Sequence, residues 1–143
     1  MRKIAFAAVL ENLEPMLDFI EQGAQELKFD ARELNRIRLA SEEALVNVIN
    51  YAYPDKNGSV EIIYEIKDGK KLILEIIDSG VPFNPLSMPE PDIKSPMENR
   101  KIGGLGIFLV RSIMDELNYR REEGRNILTL TKYHCRDQVN EGK

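Results

Sequence analysis

The stretch 59–78 most constrains the fold of this chain: two alternating runs joined by Asp68-Gly69. Val60, Ile62, Tyr64 and Ile66 share one side of Ser59–Lys67, and Leu72, Leu74 and Ile76 share one side of Lys71–Asp78. Side chains two apart lie on the same face of a strand. Asp-Gly between such runs is hairpin chemistry, because the tight turn needs left-handed backbone. An antiparallel sheet with one apolar face is implied, and that face must be covered. Asp78 has the parity of Leu72, Leu74 and Ile76. The second strand therefore ends by delivering a carboxylate onto a face that is otherwise buried.

Helical patterns supply the cover. Arg2–Leu10 alternates as a strand, with Ile4, Phe6, Ala8 and Leu10 on one side. Asn12 is placed to cap a helix carrying Pro15 in its first turn, where the missing N–H costs nothing. Leu13, Met16, Leu17, Ile20, Ala24 and Leu27 then recur at helical spacing. Asp30 and Glu33 form a capping box, with Phe29 and Leu34 as its hydrophobic staple. The second helix runs to about Tyr53 and stops at Pro54. Regular pattern lapses from Ser79 to Lys101, where five of the seven prolines fall. A structureless stretch that long inside a compact domain is usually functional or mobile. Gly103-Gly104-Leu105-Gly106 then leads into a helix over Ile107–Leu117. A last hairpin pairs Tyr119–Glu122 with Asn126–Tyr133 around Glu123-Gly124-Arg125. The order β-α-α-β-β-loop-α-β-β implies an α/β two-layer sandwich of the α+β kind. Its sheet is mixed but mostly antiparallel, with the helices on one face.

Length and charge narrow the function. The 143 residues suit one domain, assigned to 1–133, with a polar tail over 134–143. Net charge is −4 and no basic tract stands out, which argues against sequence-independent binding of nucleic acid. No apolar run approaches the roughly 20 residues of a membrane span, and the apolar N-terminal run reads as a strand rather than a leader. The single cysteine, Cys135, excludes an internal disulfide and fits a reducing compartment, so a cytoplasmic location is expected. His134-Cys135 has no second pair with which to hold zinc. Arg120, Arg121 and Arg125 offer either a partner patch or, as the preferred reading, solvated hairpin charges, and Tyr51 and Tyr53 read as packing residues.

Three places carry chemistry. On the second helix, Arg36, Glu43, Asn47 and Asn50 fall within about 60° of one another, opposite Ile37, Ala44, Leu45, Val48 and Ile49. Two amides beside a carboxylate are unusual there, because amides are poor helix formers. Either a solvated face or a site accounts for that stripe. Asp78-Ser79-Gly80 closes a strand and opens the long loop. The glycines 103, 104 and 106 form either a tight loop-to-helix turn or a cradle whose N–H groups close on an anion.

In order and spacing the three resemble the motifs of the GHKL, or Bergerat-fold, ATPase superfamily. Glu43-Ala44-Leu45-Val46-Asn47 matches its Glu-x-x-x-Asn helix motif. Asp78-Ser79-Gly80 matches the start of Asp-x-Gly-x-Gly, and Gly104-Leu105-Gly106 matches the glycine-rich segment. The last glycine of the second motif is Pro82 here. Asp78-Ser-Gly-Val-Pro-Phe-Asn-Pro85 is instead similar to the Asp-x-Gly-x-Pro-Phe-(Asp/Asn)-Pro of the bacterial anti-sigma-factor serine/threonine kinases. Gly103–Asp115 and Gly124–Lys132 also resemble that branch, and the likeness covers roughly residues 4–133.

The resemblance implies a Bergerat fold with an ATP lid between Phe83 and Lys101, and an enzyme that uses ATP and Mg²⁺. Asn47 would hold the magnesium ion and Glu43 would be the general base. Asp78 would accept a hydrogen bond from the adenine amino group, and Gly80 would let the base approach the backbone. Gly103, Gly104, Leu105 and Gly106 form the segment that would wrap the phosphates. Arg100 or Lys101 would stabilise charge on the γ-phosphate. The implied reaction is phosphoryl transfer to a serine or threonine of a STAS-type anti-sigma-factor antagonist. The implied further partners are a sigma factor, sequestered by the kinase, and a second copy of the chain in a homodimer. The competing readings are a nucleotide-binding partner switch with little or no kinase activity, and a stand-alone ATPase.

Overall fold

The computed structural model describes residues 1–55, 57–87 and 104–134. Its strands are β1 (Arg2–Ala7), β2 (Ser59–Lys67), β3 (Lys71–Asp78), β4 (Glu116–Glu122) and β5 (Arg125–Tyr133). They form one sheet in the order β1-β2-β3-β5-β4. The expected two-layer α+β sandwich is what forms, and every pairing among the described strands is antiparallel. The helices are α1 (Leu13–Glu26), α2 (Ala31–Tyr51) and α3 (Gly104–Ile113). The alternation read from sequence sets the core: Ile62, Leu72, Leu74, Ile76 and Leu130 are buried with Met16, Leu17 and Ile20 of α1 and Ile37 and Leu45 of α2. Each such side chain contributes about 1.5–3 kcal/mol on burial. No described helix is long and apolar enough to cross a membrane.

Both hairpins turn through two residues of left-handed backbone. These are Asp68 and Gly69 (φ 58° and 63°) and Glu123 and Gly124 (φ 51° and 77°). Such turns match the twist of the paired strands, and the second lets β5 begin at Arg125 rather than Asn126. The sheet register then sets Asp78 directly opposite Asn126.

Three local expectations are corrected. Asn12 does not cap α1. It closes a 3₁₀ turn, Leu10–Asn12, and its side-chain amide donates to Ala7 O at 3.0 Å. Only half of the capping box forms at α2. Asp30 accepts the Glu33 N–H at 2.8 Å, whereas the Glu33 carboxylate faces Lys132 Nζ at 3.5 Å. The third helix begins earlier than its apolar pattern suggests, at Gly104, and ends earlier, at Ile113. Beyond Ile113 the sheet captures the chain. The Asp115 N–H donates to Thr131 O, and Asp115 Oδ2 accepts the Tyr133 N–H at 2.6 Å. Leu117 is therefore a strand residue, its apolar character serving either structure.

Lys132 fastens the layers together. Its ammonium donates to Ile113 O at 2.9 Å, at the C-terminal end of α3 where positive charge is favoured. It also faces Glu33 (3.5 Å) and Asp115 (3.8 Å). Glu33 Oε2 is buried and has no hydrogen bond from elsewhere in the described residues. Lys132→Met is expected to destabilise the fold by about 2–4 kcal/mol, because it strands that carboxylate. Adding Glu33→Gln is expected to recover part of the loss. Urea unfolding of the single and double variants measures the coupling.

Candidate functional site

The site assembles where β3 ends. Asp78 lies on the covered face, only 6% exposed, as its parity requires. Its Oδ1 accepts two hydrogen bonds, from the Gly80 N–H (2.9 Å) and from Asn126 Nδ2 (2.8 Å). Its Oδ2 has no protein partner among the described residues. The turn after the strand is pinned to the end of α2, where the Val81 N–H donates to Ala52 O at 2.8 Å. Gly80 is forced by that closeness, since a Cβ there would run into the Ala52 carbonyl. Tyr53, read from sequence as packing, is a bridge: its hydroxyl donates to Ser59 O (2.6 Å) and accepts the Ser79 N–H (2.8 Å). Tyr51 packs on Phe83 with ring centroids 5.6 Å apart.

Above Asp78, α2 closes a pocket that Ala44, Asn47, Asp78, Phe83, Tyr119 and Asn126 line, with others. Its free space is about 20 Å³, room for a water rather than a ring system. Phe83 and Pro85, from the turn after β3, form one wall of it. Asn47 is buried, and its Nδ2 has no hydrogen-bond partner among the described residues. A buried amide left unpaired costs about 1–3 kcal/mol, so this nitrogen, without a partner among the described residues, marks a place where a further polar group would be favoured. Sequence pointed to Asn47 and Asp78, and the fold brings them to one pocket.

One turn before Asn47, Glu43 is half-buried, and its carboxyl is shifted upward. Burial is the larger cause and the neighbouring charge of Glu42 the smaller. It faces α3 at Gly106, where a Cβ would come within 2.9 Å of Glu43 Oε1. The glycine-rich segment and the helix stripe therefore touch through a missing side chain. Gly106→Ala should leave stability nearly unchanged, because the obstructing atom is the tip of a flexible carboxylate. It should push that carboxylate aside, and whatever reaction Glu43 serves is expected to fall at least about tenfold. A melting curve paired with an activity assay separates the two effects.

The remaining candidates sort by position. Gly104 and Leu105 lie in the first turn of α3, whose leading N–H groups have no partner within the helix. Gly103, Arg100, Lys101 and the lid beyond Ser87 lie outside the described residues. On the stripe itself, Asn50 is exposed, while Arg36 Nε is buried and has no hydrogen-bond partner among the described residues. Among the described residues no group of three or more His, Cys, Asp or Glu could hold a metal ion. Sequence reading missed Asn126, Tyr119 and Arg121. Asn126 is buried in the middle of this site, and only the register opposite Asp78 reveals it.

Residues 6–132 match the family described as the histidine kinase-like ATPase domain. The chain belongs to that family. Relatives in this ATPase family include the serine-protein kinase RsbW of Bacillus mycoides (strain KBAB4). It is 30% identical over 120 residues, which span 81% of this chain and 74% of the relative. The protein of the same name from Bacillus anthracis is 32% identical over the same coverage. Among solved structures, the RsbU and RsbW domains of Rv1364c from Mycobacterium tuberculosis align with a TM-score of 0.60 at 14% identity. That alignment covers 92% of this chain and 32% of that one. The catalytic domain of histidine kinase ThkA aligns at 0.54 and 18% identity, covering 93% and 96%. At such identities the structures speak for the fold alone. The relatives named serine-protein kinase RsbW show that protein kinases of that name are similar to this chain over most of its length.

Proposed function

We propose that this protein is an ATP-dependent serine/threonine protein kinase acting as an anti-sigma factor. The observation that carries the reading is the buried amide of Asn47, whose Nδ2 has no partner among the described residues. It shares a pocket with Asp78, whose Oδ2 has no protein partner among those residues, and lies one helical turn from the Glu43 carboxylate beside Gly106. Relatives named serine-protein kinase support the choice of acceptor.

In this reading Asp78 Oδ2 accepts from the adenine amino group, and the first turn of α3 receives the phosphates. Asn47 would hold magnesium through its side-chain oxygen, the amide turning over to present it. The hard ion, keeping several waters, would neutralise phosphate charge. Glu43 takes the proton of the attacking hydroxyl, and its raised basicity suits that task. The acceptor is a serine or threonine of a STAS-type antagonist, and the same protein sequesters a sigma factor, working as a homodimer in the cytoplasm. Arg100 or Lys101 would face the γ-phosphate.

Incubation with Mg-ATP and the cognate STAS domain should add one phosphoryl group to that domain, read by mass spectrometry. ATP binding with no transfer would move the reading to a partner switch that works by sequestration alone. Failure to bind ATP or ADP at millimolar concentration would overturn it altogether.

A further inference from the structure

Asn126 makes more hydrogen bonds than any other side chain at the site, and neither the motifs nor the proposed chemistry uses it. Its Nδ2 donates to Asp78 Oδ1 (2.8 Å) and to Val81 O (2.8 Å). Its Oδ1 accepts from Tyr119 OH (2.5 Å), Arg121 Nη1 (3.1 Å) and the Phe83 N–H (3.3 Å). Arg121 Nη1 also donates to Gly80 O at 2.9 Å. Donors on one side and acceptors on the other leave the amide one orientation. It is 4% exposed, so these bonds are out of competition with water and costly to lose.

The network has two consequences. It ties the whole turn from Gly80 to Phe83 to β4 and β5. It also occupies Asp78 Oδ1 from two directions, so that only Oδ2 is left to meet a ligand. We propose that Asn126 is the positioning residue of this pocket. It orients Asp78 as a one-oxygen acceptor, and so selects a base that presents an amino donor over one that presents a carbonyl in the same place. The inference rests on the ATP reading of the site, and it adds the group that sets base selectivity.

The test is calorimetric titration with ATP and with inosine triphosphate, whose base carries a carbonyl in place of the amino group. Wild type, Asn126→Leu and Asn126→Asp are compared across pH 5.5 to 8.5, each with a melting curve. Wild type should prefer ATP. Asn126→Leu keeps the side chain's size and removes every bond. It should weaken ATP about tenfold to a hundredfold while inosine triphosphate changes little, so that the preference narrows.

Asn126→Asp sets a second carboxyl against Asp78. Around that pair stand Tyr119 OH and Arg121, which favour charge at position 126, so a shared proton would reside on Asp78. At pH 8.5 the two carboxylates repel and ATP binding should be weak. Towards pH 5.5 one proton bridges them and binding should recover. Equal losses for both nucleotides in Asn126→Leu, or unchanged ATP affinity at every pH in Asn126→Asp, would overturn the role. A wild type that binds no nucleotide would instead count against the ATP reading itself.

Discussion

Glu43→Gln is expected to abolish phosphotransfer while leaving Mg-ATP affinity essentially intact. The rate should fall by about 10²–10⁴-fold, the usual contribution of a general base. Glutamine keeps the shape of the side chain beside Gly106, so the packing that places it survives. What disappears is the ability to accept a proton from the acceptor hydroxyl. The wild-type pH profile should carry the same signature. A base works only when deprotonated, and burial followed by the charge of Glu42 raises the Glu43 carboxyl. Transfer should therefore decline in acid through a limb lying above the ordinary glutamate value of about 4.3. Single-turnover transfer to the STAS domain measures the rate, and nucleotide titration measures the affinity. Undiminished transfer in the variant would remove Glu43 from the reaction.

The same shift has a stability consequence of opposite sign. A carboxyl raised on folding favours the protonated fold. Its contribution is fully present below the unfolded value and is lost as pH rises through the folded one. At neutral pH, Glu43 is thus a small burden on the fold. Glu43→Gln should melt slightly higher than wild type at pH 7, the gain kept small by solvent screening of this half-buried group. The gain should vanish in acid. A side chain that costs stability where it sits, beside a glycine that makes room for it, is the usual mark of a group kept for function.

The fold was legible because its signals were short-ranged. Alternation in 59–78, two hairpin turns and the Asp30 cap each depend on neighbours a few residues apart. Asp78 was legible for the same reason, since strand parity alone places it on the covered face. Errors arose where two local structures compete for one residue type. Leu117 suits a helix and a strand equally, and Asn12 can cap or bond backward. Asn126 lies inside the Gly124–Lys132 likeness, but nothing in that stretch of sequence gives it a partner or a task. The sequence pattern makes Asn126 only the opening residue of a strand, and it is the β3–β5 register that sets it opposite Asp78. Arg121 reads as solvent decoration until the β4–β5 register sets it opposite Asn126, from where its guanidinium reaches Gly80 O. The motifs point to candidate ligand contacts, and long-range pairing shows which residues hold Asp78 in place.

Asp78→Asn should bring the largest loss of nucleotide affinity, and the network around it dictates why. Two N–H donors, from Gly80 and Asn126, already converge on Oδ1. An asparagine at 78 must turn its oxygen toward them, because the reverse orientation would set its NH₂ against both. Its Nδ2 is then forced into the position that Oδ2 occupies. There it faces the amino group of adenine, donor against donor, in a pocket with little water to relieve the clash. A site built to hydrogen-bond a ligand group rejects a mismatch strongly. ATP affinity should fall by at least about 10²-fold. Because the inward bonds survive, melting should change little. The same forced orientation should improve the standing of inosine triphosphate relative to ATP, since its carbonyl can accept from Nδ2. Wild-type ATP affinity in Asp78→Asn would mean that the base does not meet Asp78, and the pocket would need another occupant.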